Sequence, residues 1–162
     1  RDYYASRGLG DVYKRQIVMS LLPKVQEIIQ QELPFIDRVS LILDKYITLF
    51  TENPDMPKFI CGEIQRDVNH LLDAAKEMQF EETFLIIKER LLMEMEAGRL
   101  KKVPIHTVFI TFYGLLTFPL ITKNLITSIF LKDTTDFSVF MLEWKQYILF
   151  HLMNLLGIEK EN

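Results

Sequence analysis

The most apolar stretch of the chain covers residues 103–131, in which Lys123 is the only Lys, Arg, Asp or Glu. A helix that is apolar on every side must be buried in protein or in lipid. Thr, Ser and Asn recur through this stretch, and Pro119 near its middle is expected to kink or split a helix. We therefore expect two helices, over residues 104–117 and 119–130, covered by other protein, with burial in lipid as the alternative.

Apolar residues recur at spacings of three and four along much of the remaining chain, which is typical of helices with one buried face. On the helix expected over residues 35–50, Arg38 is expected on the solvent face. A last helix is expected to begin after residues 133–135, a stretch of N-cap residues, and to close at Gly157. The other expected helices cover residues 17–32, 35–50, 55–69 and 80–97, with a short connector over 71–78. The pattern predicts an all-α fold, an antiparallel bundle of about six to seven helices.

Residues 1–16 differ in texture from the rest of the chain. They contain two of the six glycines and show no apolar stripe before Val12. The segment resembles translated adapter sequence, and we expect it to be unstructured or artefactual. Residues 17–162 are then expected to form one helical domain, a size that suits a single core.

Charge and cysteine content narrow the range of functions. The formal net charge of −3 and the isoelectric point near 5.7 argue against a nucleic-acid-binding surface on these residues. Cys61 is the only cysteine, which excludes an internal disulfide and fits a reducing compartment. The short apolar run at residues 17–22 lacks a signal-peptide cleavage site, so a cytoplasmic location is expected.

The helix over residues 119–130 and the last helix carry more apolar surface than one domain core requires. Surplus apolar surface of this kind usually marks a subunit interface, and a two-fold axis would pair both helices with their copies. The sequence therefore predicts a homodimer. Its interface residues are expected to be Leu125, Ile129, Phe140, Trp144, Ile148, His151, Leu152 and Leu155.

Three segments carry a resemblance to a known family. Residues 34–64 (PFIDRVSLILDKYITLFTENPDMPKFICGEI) resemble the helix pair in the regulatory domain of TetR/AcrR-type transcriptional repressors. Residues 95–121 are similar to that family's Gly-containing loop and the apolar helix with a mid-course Phe-Pro, and residues 141–157 look like its last dimerisation helix. The resemblance implies the ligand-sensing and dimerising half of a bacterial repressor. The family's three-helix DNA-binding domain does not fit within residues 1–16, so it is expected to be missing.

The resemblance also implies a pocket for a small, mostly apolar inducer and no cofactor. Its walls are expected from the helices over residues 35–50, 55–69, 80–97 and 104–117. Plain core packing is the alternative for each aromatic residue. The residues expected to contact the ligand are Phe59, Cys61, Phe84, Phe109, Phe112 and Tyr113.

Enzymatic chemistry finds little support in the sequence, and we expect a protein that is not an enzyme. No nucleophile elbow or phosphate-binding Gly-rich loop occurs. Glu63, Asp67 and His70 could place three metal ligands on one helix face, but a second motif of this kind is lacking. The main alternative to a sensor is a helical protein-interaction module without a small-molecule pocket.

Overall fold

A computed structural model describes residues 2–132 and 134–159, with side chains described from residue 8 onward. The described residues form nine α-helices and two π-helical turns and contain no strand, so the all-α prediction is confirmed. The π turns cover Ile17–Leu21, between α1 and α2, and Thr127–Leu131, after α8. The α-helices are α1 (Asp2–Gln16), α2 (Leu22–Gln30), α3 (Phe35–Glu52), α4 (Met56–Arg66), α5 (Val68–Glu77), α6 (Phe80–Glu96), α7 (Ile105–Ile121), α8 (Lys123–Ile126) and α9 (Phe137–Leu156).

Helix α1 occupies the segment that was expected to be unstructured. Its Tyr13 is buried, and the ring meets Phe59 of α4 edge-on, with ring centroids 5.3 Å apart. Lys14 forms an ion pair of 2.5 Å with Glu77 of α5. The π turn continues α1 into α2. Pro23 lies in the first turn of α2, where the N–H that proline lacks is not needed for the helix. The two contacts hold α1 against α4 and α5.

The main core lies where α3, α7 and α9 meet. Leu43 of α3, Leu116 of α7 and Ile148 of α9 are fully buried there, and each contributes about 1.5–3 kcal/mol by leaving water. A second apolar cluster lies beside the loop that follows Gly98. Its buried members are Leu91, Met95, Leu100, Val108 and Leu156. As expected, Gly98 ends α6 in a left-handed conformation, with φ of +77°.

Two helical segments are present as expected, but the break between them lies at Thr122, so the predicted break at Pro119 is wrong. Helix α7 continues to Ile121, and the segment after Thr122 turns away by 68°. The Leu115 carbonyl, which Pro119 cannot satisfy, accepts a hydrogen bond of 2.9 Å from the Trp144 indole instead. Within the described residues, no single helix is long and apolar enough to cross a membrane. The bent pair Ile105–Ile121 and Lys123–Leu131 together has the length and the apolar composition of a membrane span.

The last helix begins after residues 133–135, as the sequence indicated, although its N-cap is the residue that follows them. Asp133 lies outside the described residues, and the N-cap of α9 is Asp136, whose carboxylate accepts from the Ser138 N–H. On the side facing α3, the ammonium of Lys145 lies 2.6 Å from the carboxylate of Asp44. This ion pair, together with the apolar core, fixes α9 against α3.

Candidate functional site: an apolar cavity with two arginines

An apolar cavity of about 90 Å³ lies inside the bundle. Helices α2, α3, α6 and α7 form its walls, and Leu152 of α9 contributes one side chain. Apart from two arginines and two tyrosines, every wall residue is apolar. The walls comprise Val25, Ile29, Phe35, Arg38, Val39, Ile42, Tyr46, Ile87, Arg90, Leu91, Val108, Phe109, Phe112, Tyr113 and Leu152.

Helix α3 supplies the longest wall because its residues at spacings of three and four share one face. Arg38, Ile42 and Tyr46 follow one another at intervals of four residues and all line the cavity. At 1.5 Å per residue, Arg38 and Tyr46 are about 12 Å apart along the helix axis. Helix α7 faces them and can line a cavity because it is apolar on all sides.

A pair of tyrosines closes one end of the cavity. The hydroxyl groups of Tyr46 and Tyr113 lie 2.8 Å apart, so one donates a hydrogen bond to the other. Their rings meet edge-on with centroids 5.7 Å apart, and Phe112 packs against both. Burial raises the pKa of Tyr46 well above its ordinary value and also raises the pKa of Tyr113. Both phenols are therefore neutral at physiological pH.

Arg38 lies in the wall of the cavity and not on the solvent face, so that prediction is wrong. Only 5% of the residue is exposed. Its Nη1 donates to the Ile29 carbonyl at 3.4 Å, and its Nη2 lies 3.9 Å from a carboxylate oxygen of Glu94. Both contacts are long for a charged donor. Arg99 holds the same carboxylate more tightly, with nitrogen–oxygen distances of 2.6 and 3.1 Å.

Arg90 of α6 joins Arg38 at this corner of the cavity. Burial, and then the positive charge of Arg90, lower the pKa of Arg38. Among the described residues, neither the buried Nε of Arg38 nor that of Arg90 has a hydrogen-bond partner. Arg38, Arg90 and Arg99 share one carboxylate, Glu94, so the corner has a surplus of positive charge. An incoming ligand would meet this charge at the end opposite the tyrosine pair.

Three of the six residues expected to contact a ligand lie in the cavity wall: Phe109, Phe112 and Tyr113. The other three do not line it. Phe59 packs on Tyr13 of α1, and Phe84 packs against Phe109 while 38% of it stays exposed. Cys61 is half-buried on α4, where burial raises the pKa of its thiol. Helix α4 forms no wall, whereas α2, which was not expected to, does.

The polar wall residues that the sequence analysis missed are Arg38, Arg90 and Tyr46. The sequence analysis assigned Arg38 to the surface because of its charge, since buried arginines are rare unless paired. One signal was present in the sequence: Arg38, Ile42 and Tyr46 lie at i, i+4 and i+8, so the arginine continues an apolar stripe. No comparable signal marks Arg90.

The expected dimer interface is split between surface and core. Ile148 and Leu152 are 0% and 1% exposed inside the chain's own core, so they cannot contact a partner and their assignment was wrong. Helix α9 turns these two residues toward α3 and α7. Leu125 and Ile129 are about half exposed. The remaining four, Phe140, Trp144, His151 and Leu155, are half-buried or exposed on α9.

A shallow groove runs between α7 and α9 on the outside of the bundle. Ile110, Thr111, Gly114 and Leu115 line one side, and His151 and Leu155 line the other. A Cβ atom added at Gly114 would meet nothing within 4 Å. Exposed apolar side chains continue the groove along both helices: Ile110 and Phe118 on α7 are 69% and 61% exposed, and Tyr147, one turn before His151 on α9, is 58% exposed.

The possible metal-ligand stripe is not formed. The helix expected over residues 55–69 ends at Arg66, and Asp67 is extended, with φ of −155°. Its carboxylate accepts a hydrogen bond of 3.2 Å from the His70 N–H and caps α5. Glu63 pairs with Arg66. In the part of the chain that the structure describes, no three His, Cys, Asp or Glu residues are grouped to hold a metal ion.

Comparison with protein-family models, curated proteins and solved structures gave no match to this chain.

Proposed function

We propose that this chain is the ligand-binding and dimerisation domain of a TetR-like transcriptional repressor. In this proposal, a small and mostly apolar molecule binds in the cavity and controls DNA binding by an N-terminal helix-turn-helix domain that is absent from this chain. The repressor would act in the bacterial cytoplasm. The observation that carries the proposal is the apolar cavity inside the bundle, whose walls include α2, the helix that the π turn joins to α1 on the N-terminal side.

The size of the cavity supports a coupling between ligand binding and helix movement. Pockets that enclose drug-sized ligands measure about 300–1,000 Å³. The cavity here is about 90 Å³, so a ligand of that size requires the surrounding helices to separate. Binding would then favour the state with the wider helix spacing, as a population shift requires.

Helix α2 would transmit the movement. Val25 and Ile29 are buried and line the cavity, so a ligand that widens it presses directly on α2. The chain continues from α2 through the π turn toward its N-terminal side. A displaced α2 would change the spacing of two DNA-binding domains in a dimer. The two spacings would differ in DNA affinity, and this difference is the coupling free energy that control of DNA binding needs.

The apolar face of α7 and α9 would form the dimer interface. Ile110 and Phe118 are 69% and 61% exposed, which is unusual for residues of this size on one surface. A two-fold axis through the groove at Gly114 would pack α7 and α9 against their copies as a four-helix arrangement. Leu125 and Ile129, next to this face, would extend the contact.

Binding of an apolar fluorescent dye tests the cavity. The wild-type chain should take up the dye with a saturable rise in fluorescence, and Ile42→Phe, which fills the cavity, should lose it. Leu125→Phe adds the same aromatic ring at an exposed site and serves as the matched control. Equal dye binding by Ile42→Phe and Leu125→Phe would show that the dye binds elsewhere and would contradict the proposal.

A helical protein-interaction module is the second candidate. The exposed apolar residues of α5 and α6, such as Val68, Leu72 and Leu85, favour it because they lie outside the cavity and the α7–α9 groove. A chain that binds no apolar dye and stays monomeric would support this candidate over the sensor.

A further inference from the structure

Arg38 is an arginine whose burial lacks a sufficient reason within the chain. The residue is 95% buried, and its two contacts, to the Ile29 carbonyl at 3.4 Å and to Glu94 at 3.9 Å, are long. A buried charge is costly unless it is paired and hydrogen-bonded. The weak pairing of Arg38 therefore leaves most of its desolvation cost uncompensated.

The positive charge around Arg38 exceeds the negative charge. The charged groups that act on it are Arg90, Arg99 and Glu94. Arg99 holds the Glu94 carboxylate with hydrogen bonds of 2.6 and 3.1 Å, so Arg38 does not have that carboxylate to itself. Arg38 and Arg90 are then two like charges at one end of an apolar cavity, each with a buried Nε that lacks a partner among the described residues.

We infer that the cavity accepts an apolar molecule that carries one carboxylate, with the carboxylate between Arg38 and Arg90 and the apolar body extending toward the Tyr46–Tyr113 pair. This inference rests on the proposed function, because it specifies the ligand of the same cavity. One carboxylate would accept hydrogen bonds from both arginines and would reduce the repulsion between them. A planar carboxylate suits the donors of a guanidinium group.

The apolar body fits the remaining walls. Between the arginines and the tyrosines, α3 offers a path of about 12 Å at 1.5 Å per residue, lined by Val39 and Ile42. Leu91, Val108 and Phe112 line the opposite walls. One tyrosine hydroxyl donates to the other, so each has a hydrogen-bond partner without a polar group on the ligand. A slender chain with a single charged end matches this arrangement, and decanoate is a suitable probe.

Isothermal titration calorimetry with three probes of equal chain length tests the inference. Decanoate carries the charge, decan-1-ol lacks it, and decylamine carries the opposite charge; all are used below the concentration at which they form micelles. Decanoate should bind roughly ten- to hundredfold more tightly than decan-1-ol, as hydrogen bonds to charged groups would give. Decylamine should bind more weakly than decan-1-ol.

Arg38→Met and Arg90→Met should each remove the preference for decanoate while decan-1-ol binds as before. Arg66→Met is the matched control, because Arg66 is exposed on α4 away from the cavity. Without ligand, Arg38→Met should unfold at a higher urea concentration than the wild type, since an apolar side chain replaces a poorly paired buried charge. Should Arg38→Met fail to fold, the half-buried Arg90 still decides the question through Arg90→Met.

The outcomes separate this inference from the proposal on which it rests. Equal binding of decanoate and decan-1-ol, unchanged in Arg38→Met and Arg90→Met, would overturn the carboxylate assignment and leave the apolar cavity as a binding site. Failure of all three probes and of the apolar dye to bind would overturn both. Loss of decanoate binding in Arg66→Met as well would show that the charge acts from a distance, and would overturn the assigned position of the carboxylate.

Discussion

The indole Nε1–H of Trp144 donates a hydrogen bond of 2.9 Å to the backbone carbonyl of Leu115. In an uninterrupted helix this carbonyl would accept from the N–H four residues later, but that residue is Pro119, which has no N–H. A side chain of α9 thus replaces a missing backbone donor of α7. The replacement explains why α7 continues to Ile121 in spite of an internal proline.

Trp144→Phe should lower the free energy of unfolding by about 1–3 kcal/mol, because the Leu115 carbonyl then loses its partner. Restoring a backbone donor with Pro119→Ala should make the loss smaller by about 1 kcal/mol. Urea unfolding of the wild type, the two single variants and the double variant measures this coupling. Additive effects of the two substitutions would contradict a shared role at the carbonyl.

The tyrosine pair predicts a second coupling. Tyr113→Phe leaves the buried hydroxyl of Tyr46 without its partner at 2.8 Å, and Tyr46→Phe does the reverse. Each single substitution should cost about 1–2 kcal/mol, whereas the double variant should cost less than their sum, because no hydroxyl remains unpaired. Tyr147→Phe, at an exposed position on α9, is the control and should change stability little. A double variant as unstable as the sum of the singles would contradict the pairing.

The same pair predicts a loss of stability in alkaline solution. The pKa values of Tyr46 and Tyr113 are raised in the folded chain, foremost by burial. Below the ordinary tyrosine pKa of about 10, both states keep the phenolic protons and the contribution is complete. Above it, the unfolded chain releases protons that the folded chain retains, so the free energy of unfolding falls until the folded pKa is passed. Urea midpoints from pH 8 to 11 should fall more steeply in the wild type than in the double phenylalanine variant.

How far the sequence determined these features varies between helices. The helical class followed from regular apolar spacing, and the ends of α6 and α9 followed from Gly98 and Gly157. The count of six to seven helices was too low, because α1 was not expected and α5 was expected only as a short connector. The outer and inner faces of α9 did not follow, because its apolar residues surround the helix. Packing against α3 and α7 alone turned Ile148 inward and left Tyr147 exposed.

The candidate site was only partly predictable for a related reason. Phe109, Phe112 and Tyr113 belong to a helix that is apolar on all sides, so some of its aromatic residues had to point inward. Arg38 could not be placed by composition, since its burial depends on the packing of α3 against α2 and α6, and α6 lies far along the chain. Phe59 packs against Tyr13 and not into the cavity. This contact could not be predicted, because Tyr13 belongs to a segment that showed no helical pattern in the sequence.

The ion pair between Lys145 and Asp44 should respond unequally to removal of its two partners. Lys145 is buried and its ammonium lies 2.6 Å from Asp44, whose side chain is 44% exposed. Asp44→Asn leaves a buried charge without compensation and should cost about 1–2 kcal/mol, after allowance for solvent at the carboxylate. Lys145→Met leaves a carboxylate that water can reach, so it should cost less. The reverse order in urea unfolding would contradict this account.

The groove at Gly114 leads to a prediction in which stability and association change in opposite directions. Gly114 lies within α7, and a Cβ atom there would meet nothing within 4 Å, so Gly114→Met fits the single chain. Replacing a helical glycine should stabilise the folded monomer by up to about 1 kcal/mol. The new side chain would occupy the groove in which, under the dimer proposal, the copy of α7 lies.

Sedimentation velocity over a range of micromolar concentrations should therefore show a dimer for the wild type and a monomer for Gly114→Met. Gly62→Met is the matched control: it is also helical and open to solvent, but it lies on α4. It should gain similar stability and remain a dimer. A wild-type chain that is monomeric throughout would refute the dimer itself, whereas a dimer that persists in Gly114→Met would place the interface on another face. A monomeric Gly114→Met that keeps the helix content of the wild type by circular dichroism and unfolds cooperatively in urea would show that the loss of association is not due to misfolding.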